Sequence, residues 1–189
     1  MRLFVALSIP PEVRQNIASL VRNLRHTDGK PRWINPQNLH ITLKFIGELE
    51  SEKVPAISDA LATSHAAHLL PIEFRNVGFF PNSRRPSVAW IGIEAPPTLA
   101  LLAAEVNRVL ASIGIPREEK SFVPHLTIAR FKEARLSPAL QVEIEKCKDH
   151  SFGSYTAGEI HLVESKLKSS GAEYTTLRSF PFEPKESPS

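Results

Sequence analysis

Strict alternation of polar and apolar residues in two short stretches constrains this chain more than any other feature. Leu39-His40-Ile41-Thr42-Leu43 and Pro124-His125-Leu126-Thr127-Ile128 each read His-x-Thr-x, with apolar residues at x. Side chains on a strand alternate between faces, so His and Thr share one face and the apolar residues share the other. Each stretch is therefore predicted to be a strand that seats on a core and offers an imidazole and a hydroxyl from its far side. Two such strands facing across a cleft would bring together two titratable groups and two hydroxyl donors. That is equipment for acid–base chemistry on a charged, tetrahedral group. With seven His and eight Thr in 189 residues, one match is ordinary chance, but two with matching apolar flanks are not.

The rest of the chain supplies scaffolding around these strands. An apolar opening, Met1 to Ile9, predicts a first strand stopped by Pro10-Pro11. Val13, Ile17, Leu20, Val21 and Leu24 recur at helical spacing over 12–25, and Val54, Ile57 and Leu61 do so over 52–67. Strands are predicted over 70–80 and 87–93, joined by the basic turn that holds Arg84 and Arg85. A helix follows over 98–113, just behind Pro97, where proline is tolerated. After the second His-x-Thr strand come a short helix over 138–146 and strands over 156–164 and 173–180. The coarse order helix, His-x-Thr strand, helix, two strands thus occurs twice, which suggests an internal duplication. Hairpin-connected late strands favour α+β with antiparallel pairing over a doubly wound sheet.

Composition narrows the classes. Hydrophobic content of 42% and charged content of 23% are those of a globular protein, and the length suits one domain, expected over 1–183 with a frayed tail over 184–189. One cysteine, Cys147, excludes an intrachain disulfide and fits a reducing compartment. The apolar opening is too short for a secretory signal or a membrane span, so a cytoplasmic, membrane-free protein is expected. A net charge of +3 permits a polyanionic partner without demonstrating one. Eight glycines include no phosphate-cradling loop, and no Gly-x-Ser-x-Gly elbow occurs. Zinc is disfavoured because threonine is a poor ligand for metals that prefer imidazole. His26, His65, His68, His150 and His161 lack any repeated context and are read as surface or incidental residues, His161 least securely because it alternates with Ile160 and Leu162.

The two motifs and their long flanks resemble the two-histidine phosphoesterases, and within them the bacterial and archaeal RNA 2′,3′-cyclic phosphodiesterases, long named 2′-5′ RNA ligases. The resemblance covers most of the chain. It includes Met1–Leu7, the block from Arg32 to Glu48 around the first motif, Gly78-Phe79-Phe80-Pro81, Trp90-Ile91-Gly92-Ile93 and the block from Phe122 to Arg130 around the second. It continues in Leu162-Val163-Glu164-Ser165-Lys166-Leu167, then Gly171, Tyr174, Leu177 and Phe180-Pro181. The resemblance implies two similar lobes, each an antiparallel sheet with outer helices, around a central cleft that receives one His-x-Thr strand from each lobe.

It also implies an activity: opening of 2′,3′-cyclic phosphate ends of RNA to a 2′-phosphate, with no metal and no cofactor. His40 is then the proton donor and His125 the proton acceptor, although nothing in the residues fixes that polarity. Thr42 and Thr127 can hold non-bridging phosphate oxygens. Run backwards with a 5′-hydroxyl RNA end in place of water, the same site gives ATP-independent 2′-5′ ligation. The partner is RNA bearing cyclic phosphate ends, tRNA fragments among the candidates, met by a monomer. Lys44 shares strand parity with His40 and Thr42 and is a candidate to line the cleft. Arg130 lacks that parity and reaches the phosphate only if the strand bends near Ala129. Trp33 could stack on a base, whereas Phe45 is expected in the core. The alternatives are a phosphoesterase for small cyclic nucleotides or 2′-5′ oligonucleotides, and a non-catalytic RNA-binding module of the same fold.

Overall fold

The computed structural model describes residues 1–64, 69–169 and 171–182, so His65, His68 and the expected frayed tail lie outside the described residues. Among the described residues nine strands form two antiparallel sheets. The first has four strands in the order β3-β1-β8-β9, and the second has five in the order β2-β6-β5-β4-β7. In chain order the elements are β1 (Arg2–Ser8), α1 (Pro11–Thr27), β2 (Arg32–Trp33), β3 (His40–Glu48), α2 (Val54–Ala62), β4 (Leu70–Phe80) and β5 (Val88–Glu94). They continue with α3 (Thr98–Ala111), β6 (His125–Arg130), α4 (Pro138–Glu145), β7 (Ser151–Ala157), β8 (Glu159–Lys168) and β9 (Gly171–Pro181).

Helices α2 and α3 pack on the first sheet, while α1 packs on the second with α4 against it, which gives the two α+β lobes that the resemblance implies. Helices α1, α2 and α3 turn their predicted stripes to the core, with Leu20 and Val54 only partly buried at its margin. In α1 the buried residues are Val13, Ile17, Val21 and Leu24, and in α3 Leu99, Leu102, Val106, Val109 and Leu110 are among them. Helix α2 is shorter than its apolar pattern suggests. The Thr63 and Ser64 hydroxyls donate to the carbonyls of Ala60 and Leu61, and such local bonds compete with helical continuation. The strand expected over 156–164 is two strands. β7 pairs with β4 in one sheet and β8 pairs with β1 and β9 in the other, the chain crossing between sheets at Gly158. Among the described residues no helix is long and apolar enough to cross a membrane.

Candidate active site

Strands β3 and β6 approach one another between the two sheets. His40, Thr42, His125 and Thr127, the polar residues of both motifs, line one cavity of about 560 Å³. Each imidazole is anchored in the same way. His40 Nδ1 lies 2.7 Å from the Asn38 carbonyl oxygen, and His125 Nδ1 lies 2.8 Å from that of Val123. A carbonyl can only accept, so Nδ1 carries the proton in both rings and Nε2 is the nitrogen left to exchange one.

The chain before each motif holds that carbonyl in place. Ahead of β3, Pro36–Asn38 form a 3₁₀ turn that starts where the Asn35 side chain accepts from the Gln37 N–H. Arg14 on α1 clamps the same turn, donating from Nη1 to the carbonyls of Pro36 and Gln37 at 2.8 and 2.9 Å. The Asn38 side chain donates to the Ala172 carbonyl at 2.6 Å, tying the turn to the start of β9. Ahead of β6, Pro124 restricts Val123 to extended backbone.

Aromatic rings flank both imidazoles. His40 packs against Phe4, 4.6 Å away at 32°, and Tyr174, 5.2 Å away and edge-on, and those two rings also touch each other at 5.1 Å. Phe80 meets His125 edge-on at 4.9 Å, and Phe80 in turn contacts Trp90. The His40 pKa is lowered, chiefly because burial penalises the imidazolium. The bond to Asn38 opposes this, and the charges of Arg130, Arg14 and His125 add to the lowering. Arg2, Arg32 and Arg130 also line the cavity, and its lining contains no carboxylate among the described residues. The cavity therefore suits an anion.

Strand parity fails directly after the His-x-Thr pair in each motif strand, and this decides the remaining candidates; β3 slips once more, at Ile46. The β1–β3 register skips Leu43, and the β5–β6 register skips Ile128, so both strands bulge just after the His-x-Thr pair. Beyond each bulge the faces exchange. Lys44, expected in the cleft, is instead 4% exposed and points to the other side, where Nζ donates to the Pro116 carbonyl at 2.6 Å. Phe45, expected in the core, is 52% exposed and lines the cavity. Arg130, at the position matching Phe45, reaches the cavity because its strand does bend there.

Trp33 lines the cavity as well, its indole N–H donating to the Asp28 carbonyl. Arg84 and Arg85 stay in an exposed turn, with their backbone N–H groups bound by the Asn82 side chain. His161 lies elsewhere, buried in β8 with ring nitrogens near the Ser179 and Ser8 hydroxyls. Sequence reasoning assigned no role to Phe4, Tyr174, Phe80, Asn38 or Arg14. The first four sit inside stretches that carry the resemblance, but Arg14 gives no signal in a helix of mixed polarity. Among the described residues no three His, Cys, Asp or Glu side chains are grouped so as to hold a metal ion.

Comparison with known proteins places this arrangement. The LigT like Phosphoesterase family profile matches the chain twice, over residues 7–90 and again over 91–174, one match around each motif. An RNA 2′,3′-cyclic phosphodiesterase of Archaeoglobus fulgidus is 35% identical over 180 residues, spanning 95% of this chain and 99% of its own. The crystal structure of TT0787 from Thermus thermophilus superposes with a TM-score of 0.76 at 30% identity, covering 98% of this chain and 100% of that one. Escherichia coli LigT, crystallised with 3′-AMP, superposes with a TM-score of 0.75 at 27% identity, covering 96% of this chain and 97% of LigT. With two motif strands in one basic cavity and matches that run nearly end to end, the chain belongs to the LigT-like phosphoesterase family.

Proposed function

We propose that the chain hydrolyses 2′,3′-cyclic phosphate ends of RNA by general acid–base catalysis from His40 and His125. The matched anchoring of the two imidazoles carries this reading: each presents Nε2 to one arginine-lined cavity. Relatives known as RNA 2′,3′-cyclic phosphodiesterases support the choice of substrate.

In the proposed reaction a water attacks phosphorus while His125 Nε2 takes its proton. The bond from phosphorus to the 3′ oxygen breaks, and that oxygen takes a proton from His40 Nε2. The product carries a 2′-phosphate and a 3′-hydroxyl, and exchange with solvent restores both rings. Thr42 and Thr127 donate to the non-bridging oxygens, and the Arg130 guanidinium balances the charge that builds there. Phe4 and Tyr174 keep His40 partly dry, which strengthens its interaction with the phosphate. The donor and acceptor roles follow the family pattern, since the two anchors are alike. With a 5′-hydroxyl RNA end as nucleophile the same steps give a 2′-5′ linkage without ATP.

The test is an RNA oligonucleotide ending in a 2′,3′-cyclic phosphate, incubated with the protein and a chelator, with the terminal phosphate then mapped. Conversion to the 2′-phosphate is expected. His40→Gln and His125→Gln should each lose about 10²–10⁴-fold in rate. A wild type that leaves the cyclic end intact would sink the activity, and an undiminished histidine variant would sink the mechanism.

A further inference from the structure

A second cavity, of about 570 Å³, lies beyond the site and has no part in the chemistry above. Its position follows from the backbone. β2 and β6 pair with Arg32 opposite Arg130, and both arginines line the active cavity. Moving outward along the same two segments, Lys30 and Lys132 line the second cavity, and Arg135 joins them from the loop after β6. Two residues of chain span at most about 7 Å, so each arginine stands within about that distance of its lysine along the backbone. A stacked nucleic acid strand advances about 3.4 Å per nucleotide, which makes that interval at most about two nucleotides.

The lining also carries two carboxylates, Asp28 and Glu133. Asp28 is already engaged, because Oδ1 accepts the backbone N–H of Lys30 at 3.0 Å. Among the described residues none of the three cationic side chains is held in an ion pair, and all three are exposed. Phe131, half-buried beside Phe79, offers a ring edge on the same wall. The arrangement is a short cationic track with one aromatic ring, leading away from the point where the phosphate is cut. A single-stranded polyanion fits such a track, since cations follow its backbone and rings meet its bases.

We propose that this second cavity holds the RNA strand immediately upstream of the cyclic end, so that an oligonucleotide is bound more productively than a mononucleotide. The inference rests on the reading of the active cavity given above. It is tested with the full chain and the triple variant Lys30→Gln/Lys132→Gln/Arg135→Gln, assayed on a nucleoside 2′,3′-cyclic monophosphate and on a single-stranded RNA octamer with the same end. For wild type, kcat/KM should be higher for the octamer. In the variant, the octamer value should fall about tenfold at low salt, while the monophosphate value stays within about twofold. Loss of three phosphate contacts should also flatten the logarithmic salt dependence of octamer binding by about two. Equal kcat/KM for both substrates in wild type, or an equal loss on both in the variant, would overturn the proposal.

Thermal melting of the variant guards against a folding defect. Should it melt early, the single charge reversal Arg135→Glu provides the same comparison. Binding of an octamer ending in a 2′-phosphate, followed by fluorescence anisotropy, needs no turnover. Unchanged affinity and salt slope in the variant would count against the track even if the active cavity had been assigned to the wrong reaction.

Discussion

His40 is the residue whose surroundings speak most directly to the reaction. Burial beside Phe4 and Tyr174 disfavours its charged form, and the neighbouring cations act in the same direction. A proton donor with a lowered pKa is lost early as pH rises. The alkaline limb of kcat/KM, which reports the free enzyme, should therefore lie below the ordinary histidine value of about 6.5. An anionic substrate favours the imidazolium, so the alkaline limb of kcat should lie above that of kcat/KM. Tyr174 contacts His40 edge-on, and Tyr174→Ala lets water reach the ring. The expected result is an upward shift of the alkaline limb with the acid limb unmoved. If the acid limb moves instead, His40 is the base and the donor and acceptor roles exchange. Lys44 supplies a contrasting residue. Its ammonium is buried against the Pro116 carbonyl, and burial lowers its pKa while Glu118 opposes that shift. Lys44→Met should leave kcat/KM within about twofold but cost about 1.5–3 kcal/mol of stability in urea unfolding, the scale of a lost hydrogen bond to a charged group. A large rise in KM without loss of stability would return Lys44 to the cleft.

At the scale of elements, the alternation within each motif was legible because period two is a local property. His40 with Thr42 and His125 with Thr127 face one cavity as parity requires. Legibility stopped two residues later. A bulge adds one residue to a strand and need not leave a glycine or proline to mark it, and the bulges that follow the two His-x-Thr pairs lie in apolar stretches, at Leu43 and Ile128. Parity carried past them placed Lys44 and Phe45 on the wrong faces and made Arg130 conditional. The β7–β8 boundary was lost for a related reason, since Gly158 interrupts a run that otherwise reads as one strand. The second sheet holds its own histidine through a chain of close contacts. A Cβ at Gly78 would stand 2.2 Å from the Trp90 ring, so the indole lies directly on that glycine, and Phe80 bridges from Trp90 to His125. Gly78→Ala should force the ring aside, cost about 1–3 kcal/mol as an overpacked site, and lower the rate through a displaced Phe80. Adding Trp90→Phe should recover part of the stability, a non-additivity measurable from urea midpoints. A Gly78→Ala protein as stable as wild type would show that the sheet yields at no cost.

At the scale of the whole molecule, the two lobes are not the two halves of the sequence. Family matches over 7–90 and 91–174 agree with the duplication suggested by the repeated element order. Yet the first half places β1 and β3 in one sheet and sends β4 to the other. The second half pairs β6 with β5 in that other sheet and returns β8 and β9 to the first. Helices cross in the same manner: α2 and α3, from different halves, share the first sheet, and α4, from the second half, packs on α1, from the first, which lies on the second sheet. Such exchange is invisible to local periodicity, because it depends on pairings between residues far apart in sequence. It has a physical consequence for the site. His40 and His125 arise in different halves, and each is held in a sheet that needs strands from both, so their relative position is set by the entire fold. A break in the loop at Pro96-Pro97 leaves each fragment with unpaired strand edges and half of each core. Neither fragment should fold alone, and each should give the circular dichroism of a largely unstructured chain. An equimolar mixture should regain strand signal and cyclic phosphate hydrolysis together, with a midpoint that rises with fragment concentration as expected for assembly from two chains. Independent cooperative melting of either fragment would mean that the strands of one half suffice for a core, and that the exchange between sheets is not what joins the two histidines.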